Sequence, residues 1–344
     1  MAKVTKTQLV DDPVADEEDL RHSAEVPHEL TEQRLDVVCA KLFNDWSRAR
    51  LQTWIGDGRV TVNGSPVDKP RTLVLAGDVL ELEALPEADL TVHPEKIALD
   101  VVYHDKAIAV INKPAGLTVH PGAGISSGTL QNALLHRFPQ TNAVPRAGLV
   151  HRLDKDTSGI LVVALTLTAQ ARLSAAISEH AFRREYDAVV HGDMVSGGSV
   201  DAPIGRHPRD RIRMAVVDRG GREALSHYRV QERFSAHTHL RVQLETGRTH
   251  QIRVHMSHIR HPIVGDSMYG GDVIRGRGMD ESLRKTLKDF PRQALHAREL
   301  ELEHPVSGKT MGWVAEPPKD IQDLIKTLRK HTAQDVVAAK VRGR

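Results

Sequence analysis

The string His151-Arg152-Leu153-Asp154-Lys155-Asp156-Thr157-Ser158-Gly159 sets two carboxylates among three side chains that can carry positive charge. A cation within a few ångströms holds a carboxylate ionised. An ionised carboxylate in a site can act as a nucleophile or a base. The same residues also read as a turn containing an ion pair, because Asp, Thr, Ser and Gly gather where chains reverse. A second concentration of chemistry lies at 203–222. There Arg206, Arg209, Arg211, Arg213, Arg219 and Arg222 stand against Asp210 and Asp218, a local charge of +4 (six minus two). Residues 171–260 hold 15 Arg and no Lys. A cationic hairpin suits a polyanion backbone, and guanidinium groups also stack on flat rings. A solvated basic loop is the plainer alternative. His250, His255, His258 and His261 are closely spaced but lack the metalloprotease HExxH order, so they read as hydrogen-bonding histidines and no metal is expected.

The elements that must position these groups can be read from periodicity. Leu35, Val38, Cys39 and Leu42 recur at helical spacing, and Ser47 can cap a second helix carrying Leu51, Trp54 and Ile55. Val60 and Val62 alternate into Asn63-Gly64, a strong hairpin signal, and Val79–Leu82 follows as a strand. Later strands are expected at Val101–Tyr103, Ala107–Ile111, Ile160–Leu165, Tyr186–Val190, Leu240–Leu244, Leu300–Leu302 and Met311–Ala315, with a helix capped by Thr168. Strands and helices without regular βαβ alternation favour an α+β fold with a mixed, mainly antiparallel sheet. The expected organisation is an acidic, disordered tail at 1–30, a small α/β unit at 31–90, a linker at 91–98, a larger unit at 99–317, and a terminal helix with a frayed basic end at 318–344.

The chain of 344 residues has a formal charge of +2. That average conceals an uneven distribution. Residues 1–32 hold nine acids and three bases, or −6, which leaves +8 for the remainder. Charge asymmetry of this kind hints at a polyanion partner. No apolar run approaches the roughly 18 residues of a membrane span, and the N-terminus lacks a signal-peptide core. Membrane and secreted readings are therefore set aside for a cytoplasmic one. The single cysteine, Cys39, excludes an internal disulfide and is read as a small buried hydrophobe.

The nine-residue string around Asp154 resembles the signature of pseudouridine synthases of the ribosomal large-subunit type (the RluA/RluD-like family). Further segments agree in order: Asn112-Lys113-Pro114-Ala115-Gly116 with His120-Pro121-Gly122, then Arg184-Glu185-Tyr186, then Glu245 to His255, then Gly265-Asp266-Ser267-Met268-Tyr269-Gly270, then Gln293 to Ala297. Residues 31–90 resemble an S4 RNA-binding domain through Arg34-Leu35-Asp36, Ser47-Arg48, Gly58-x-Val60-x-Val62-Asn63-Gly64 and Gly77-Asp78. Together the resemblances cover about residues 31–317. Arg184 stands where the family usually has Lys, which keeps the charge.

The resemblance implies a pseudouridine-synthase catalytic fold and isomerisation of uridine in 23S ribosomal RNA or its large-subunit precursor to the C5-glycoside. No cofactor is expected, since the reaction needs no redox change or group donor. Asp154 matches the catalytic aspartate, Arg253 the arginine that pairs with it, and Tyr186 the tyrosine stacked on the target base. Leu295 would line the pocket, His151 would touch substrate, and Arg152 would fill the gap left when the base flips out of its stack. Arg48, Arg50 and Arg59, with Arg206, Arg209, Arg211 and Arg213, would meet RNA phosphates. Residues 33–90 nevertheless carry seven bases and nine acids, so only local charge favours RNA there. A monomer is expected. Two other readings compete: a non-catalytic RNA-binding factor, and a glycosidase-like enzyme using Asp154 with Asp156, for which two carboxylates two residues apart are poorly opposed across one bond.

Overall fold

The computed structural model of the protein describes residues 21–44, 46–84, 92–122, 125–210, 212–270, 272 and 279–342. These residues form two compact units, divided between 91 and 92. The first runs β1 (Arg21–Glu25), β2 (Gln33–Arg34), α1 (Leu35–Leu42), α2 (Arg48–Gly56), β3 (Val60–Val62), β4 (Ser65–Pro66), β5 (Leu73–Val74) and β6 (Val79–Glu83). One sheet has the order β1-β6-β3-β4, and β2 pairs separately with β5. The expected helix faces supply the core: Leu35, Val38 and Cys39 from α1 meet Leu51, Trp54 and Ile55 from α2, with Leu80 and Leu82 from alternate positions of β6. Burial pushes the Cys39 thiol up to about 12, so it packs as a hydrophobe. The Ser47 hydroxyl accepts from the Arg50 amide at the start of α2. Asn63 and Gly64 both have positive φ, 52° and 75°, as a type I′ turn between β3 and β4 requires.

The reading of 1–30 as a disordered tail is corrected at its C-terminal end. Residues Arg21–Glu25 form β1 and pair antiparallel with β6, Arg21 opposite Glu83 through Glu25 opposite Val79. Low hydrophobicity hid this strand, because an edge strand is held by its ladder and needs few buried side chains. The rest of the expected tail lies outside the described residues.

The second unit holds β7 (Asp100–His104), β8 (Ile108–Lys113), α3 (Leu130–Arg137), β9 (Ser158–Ala164), α4 (Leu167–Ser178), β10 (Arg183–His191), β11 (Gly198–Asp201), β12 (Ile204–Arg206), β13 (Met214–Val216), β14 (Leu225–Arg233), β15 (His237–Leu244), α5 (Gln251–His258), α6 (Glu281–Lys288), β16 (Leu295–Glu303), β17 (Thr310–Val314) and α7 (Lys319–Arg342). The central sheet has the order β11-β14-β15-β10-β16-β9-β8-β7, with β17 beside β16. Every pairing in it is antiparallel except β16 with β9. The α+β, mainly antiparallel expectation therefore holds. Alternation along β9 divides its side chains between the faces: Leu161 and Val163 enter one apolar cluster, and Ile160, Val162 and Ala164 enter the other. Helices α3, α6 and α7 contribute to the first cluster and α4 to the second.

Three expectations shift in detail. Thr166, not Thr168, caps α4, its hydroxyl accepting from the Ala169 amide at 3.1 Å. Residues 92–98, read as linker, pack on the second unit: Val92 lies against its core and the Asn132 amide side chain donates to the His93 carbonyl. The basic C-terminal segment is helical to Arg342 rather than frayed, seated through Ile321, Leu324, Ile325 and Leu328.

Candidate active site

Asp154 sits on the loop that leads into β9. The loop is pinned from two sides by groups remote in sequence. Lys113, at the end of β8 and fully buried, donates from Nζ to the carbonyls of Pro114, Leu117 and Lys155 at 2.8–2.9 Å. Burial pulls the Lys113 ammonium down to about 8, against the opposing charges of Asp156 and Asp154. Arg292 reaches from the other side, donating Nη1 to the Asp156 carbonyl at 3.0 Å while Nε and Nη2 hold Asp320 of α7. Gly159 completes the seat. It has φ +118°, and a Cβ there would fall 2.1 Å from the Ala297 carbonyl oxygen, so only glycine permits the parallel approach of β9 to β16.

The Asp154 carboxylate meets α5 across 99 positions of sequence. Arg253 donates Nη1 to Asp154 Oδ2 at 3.1 Å. Its other edge, Nε and Nη2, is locked to Asp266 at 2.7 and 2.9 Å. A planar fork can serve two carboxylates in fixed directions, which a single ammonium cannot. Burial alone would lower the Arg253 pKa, but hydrogen bonds and charge from Asp266, then Asp154, raise it above the ordinary value. The guanidinium thus stays charged in a nearly dry position.

Asp154 opens into a cleft of about 740 Å³, a size suited to a small ring system with its attached backbone. Arg146, Arg152, Arg184, Arg222, Arg248 and Arg253 line it, and Asp154 is the one carboxylate in its lining among the described residues. Asp156 is not part of the lining. Tyr186 enters from β10, immediately after a register irregularity between Glu185 and Tyr186 against β16. The extra residue is Arg298 on β16, and β10 keeps a regular register with β15, so Glu185 and Tyr186 point to opposite faces by strand alternation. Here Glu185 joins Arg183, Arg229 and Arg241, while Tyr186 lines the cleft. Burial raises the Tyr186 pKa, so the phenol is neutral at pH 7. Leu295, 4% exposed, begins β16 and closes the apolar wall beside it. A flat ring between Tyr186 and Leu295 would therefore lie on an apolar floor, with its charged parts among arginines and one carboxylate at hand.

The architecture and cleft have counterparts among known proteins. The family described as RNA pseudouridylate synthase matches residues 107–258, and the S4 domain matches 33–80. A ribosomal large subunit pseudouridine synthase D of Yersinia pestis is 52% identical over 312 residues, covering 91% of this chain and 96% of that one. A protein of the same name from Pseudomonas aeruginosa is 54% identical over 311 residues, covering 90% and 97%. The chain belongs to the RNA pseudouridylate synthase family. It is an isomerase acting on RNA, with an S4 domain ahead of its catalytic unit. A solved structure titled human RNA pseudouridylate synthase domain containing 4 has a TM-score of 0.52 at 27% identity, covering 67% of this chain and 92% of that one.

Asp154, Arg253, Tyr186, Leu295, Arg152 and His151, named from the sequence, all line the one cleft of this pseudouridine synthase. Arg152 is exposed at its rim, its guanidinium 3.4 Å from the His120 ring. His151 has a structural task as well, since its Nε2 accepts from the Val162 amide at 3.0 Å. Burial, with the Arg184 charge, pulls its pKa down to about 3, so it stays neutral and remains an acceptor. Of the arginines expected on RNA, Arg206 and Arg209 are exposed on or beside the β12–β13 hairpin. Arg213 is half-buried, its guanidinium 5.3 Å from the centre of the Tyr269 ring. Arg211 lies outside the described residues. In the S4 unit, Arg48 is engaged by Asp36 at 2.7 Å, Arg59 by Glu83 at 3.8 Å, and Arg50 stands 5.7 Å from the Trp54 ring.

The histidine cluster behaves as the hydrogen-bonding reading expects. His255 lies between the Ser226 hydroxyl and the Ala202 carbonyl, and His261 contacts the His191 carbonyl. Sequence reasoning assigned no role to Lys113, Asp266, Tyr269 or Arg292, and gave His250 no task of its own. Lys113, His250, Asp266 and Tyr269 lie inside motifs already singled out, which was the available signal. Arg292 precedes the last motif by one residue, and nothing local marked it.

Proposed function

We propose that this protein isomerises specific uridines of large-subunit ribosomal RNA, with Asp154 as the reacting carboxylate. The carrying observation is that Asp154 is the one carboxylate among the described residues lining an otherwise arginine-rich cleft, held by Arg253 through one oxygen. The names of the relatives support large-subunit RNA as the substrate class. In the reaction the N1–C1′ bond breaks, the uracil turns within the cleft, and a C5–C1′ bond forms. C5 loses a proton and N1 gains one, so atoms and charge balance. Asp154 either bonds C1′ for the interval or stabilises the positive charge that develops there. Tyr186 stacks on the base, its phenol oxygen able to relay the C5 proton by taking it up as its own hydroxyl proton leaves to solvent, and Leu295 supports the ring. The base reaches this position only by leaving its stack, and Arg152 at the rim fills the gap. Arg206, Arg209, Arg211 and Arg213, with Arg48, Arg50 and Arg59 of the S4 unit, contribute backbone contacts.

A cleft with one lining carboxylate favours isomerisation over hydrolysis by two opposed acids. The proposed location is the cytoplasm and the proposed state a monomer, the latter to be checked by light scattering. The deciding experiment is pseudouridine mapping of large-subunit RNA from cells with the gene, without it, and carrying Asp154→Asn. Loss of the same modified positions in the deletion and the variant supports the reading. Retained modification in the Asp154→Asn cells overturns it.

A further inference from the structure

Asp154 Oδ1, the oxygen that Arg253 leaves free, faces His250 Nε2 across 3.9 Å, and both side chains line the cleft. His250 occupies an unusual place. It is the residue before α5 and has φ +57°, a left-handed conformation that is uncommon outside glycine although histidine adopts it more readily than most residues. Its other ring nitrogen is also engaged. His250 Nδ1 lies 2.8 Å from the Tyr269 hydroxyl, and the two rings meet edge to face at 78°. The Tyr269 hydroxyl in turn accepts the Met214 amide of β13 at 3.0 Å. With that amide on one lone pair, the phenol can donate its own proton to Nδ1. Burial raises the Tyr269 pKa and lowers that of His250, so both groups are neutral at pH 7. A neutral imidazole that accepts at Nδ1 carries its proton on Nε2, the nitrogen facing Asp154. The same Tyr269 ring lies 5.0 Å from the Arg253 guanidinium and 5.3 Å from that of Arg213.

We infer that His250 is a positioning residue for Asp154: oriented by Tyr269, it supplies the second N–H donor that fixes the carboxylate when substrate closes the cleft. The 3.9 Å gap shortens to a hydrogen bond on closure, as catalytic contacts in empty sites commonly do. Tyr269 thereby ties the arginine-bearing β12–β13 hairpin to the reacting carboxylate through a continuous set of contacts. The inference rests on the reading of Asp154 given above.

The test uses the full chain and transcribed large-subunit RNA, with single-turnover rates measured across RNA concentrations. His250→Asn tolerates the left-handed backbone but is too short to reach Asp154, whereas His250→Gln restores a donor near the Nε2 position. Tyr269→Phe keeps the ring and removes the hydroxyl. His250→Asn and Tyr269→Phe are expected to lower the saturating rate roughly 10- to 100-fold through misplacement of the carboxylate. KM should change by no more than about twofold, since binding is unaffected. His250→Gln recovers most of the rate, and the His250→Asn/Tyr269→Phe pair is no slower than His250→Asn alone. A wild-type rate in His250→Asn, a defect confined to KM, or additive losses in the double variant would overturn the inference. Asp154→Asn is run beside them. If it is inactive while His250→Asn is normal, only this inference falls; if it is active, the aspartate reading falls first.

Discussion

Each unit contains an aspartate that gathers arginines, and the two are used in opposite ways. In the S4 unit, Asp36 is fully buried and receives Arg34 through two hydrogen bonds, Arg48 through two, and Gln52 at 2.6 Å. Burial by itself would raise its pKa. The donors Gln52, Arg48 and Arg34 reverse that and bring it to about 2. In the catalytic unit, Asp154 receives one hydrogen bond from Arg253, and its other oxygen faces an open cleft. A carboxylate that gathers five hydrogen bonds from three side chains is a strut. One held by a single oxygen keeps a lone pair for chemistry. The number of donors around the carboxylate, and not the presence of arginine, separates an acid crowded with donors from one that keeps an oxygen open.

That comparison breaks most visibly at Asp154. Asp154→Asn keeps the shape and removes the charge, and isomerisation should fall by at least about 1,000-fold, as loss of a reacting group does in other enzymes. Pseudouridine formation on transcribed RNA measures it, and a thermal melt close to wild type shows that the fold survives. Arg253→Lys should come next. Lysine keeps the charge but cannot hold Asp266 and aim at Asp154 together, and about a 100-fold drop in kcat is expected from misplacement. Equal rates for Arg253→Lys and wild type would mean that charge alone suffices.

Asp36→Asn should leave kcat near wild type and cost stability instead. The folded pKa of about 2 lies below the ordinary 3.8, so the folded unit binds the proton less readily than the unfolded chain. The stabilisation is present above about pH 4 and is lost as pH falls through about 2, a contribution of roughly 2 kcal/mol. Denaturant unfolding at pH 7 and pH 2 should show a gap between wild type and Asp36→Asn that closes at the lower pH. A gap unchanged with pH would remove the ion-pair account of Asp36.

The smallest expected effects distinguish free from committed arginines. Arg209 is exposed beside the β12–β13 hairpin, whereas Arg48 is already engaged by Asp36. Arg209→Ala should reduce the slope of log binding constant against log salt by about one, the value for one phosphate contact. Arg48→Ala should change it by less, because part of its charge is spent inside the protein. Salt titrations of RNA binding compare the two, and a larger change for Arg48→Ala would show that Asp36 orients that arginine toward RNA.

Much of the fold was legible where the physics is local. Asn63-Gly64 announced its turn because two consecutive positive φ angles suit few residues. The faces of α1 and α2 followed from apolar spacing, and β7, β8, β9, β10, β15, β16 and β17 from short β-forming runs, whereas β11 and β14 of the same sheet were not expected. The string around Asp154 was legible as a motif, and its alternative as a plain turn was equally local. What failed locally also failed for a reason. β1 is polar and exposed along much of its length, and only its pairing with β6 makes it a strand. Thr166 displaced Thr168 as the α4 cap because a cap is chosen by which hydroxyl meets a free amide.

By itself the sequence determined the residue types available for chemistry, the period of each element, and the uneven charge beneath a net of +2. Tertiary structure decided how each carboxylate is held. Arg253 comes to Asp154 from 99 positions away, Arg292 ties down the Asp156 carbonyl from 136 away, and Tyr186 is held in place by the pairing of β10 between β15 and β16. A linear chain encodes local preferences strongly, because they depend on neighbours a few residues apart. The donor count at a carboxylate depends on which distant segments pack against it, and that emerges only when the sheet brings them together.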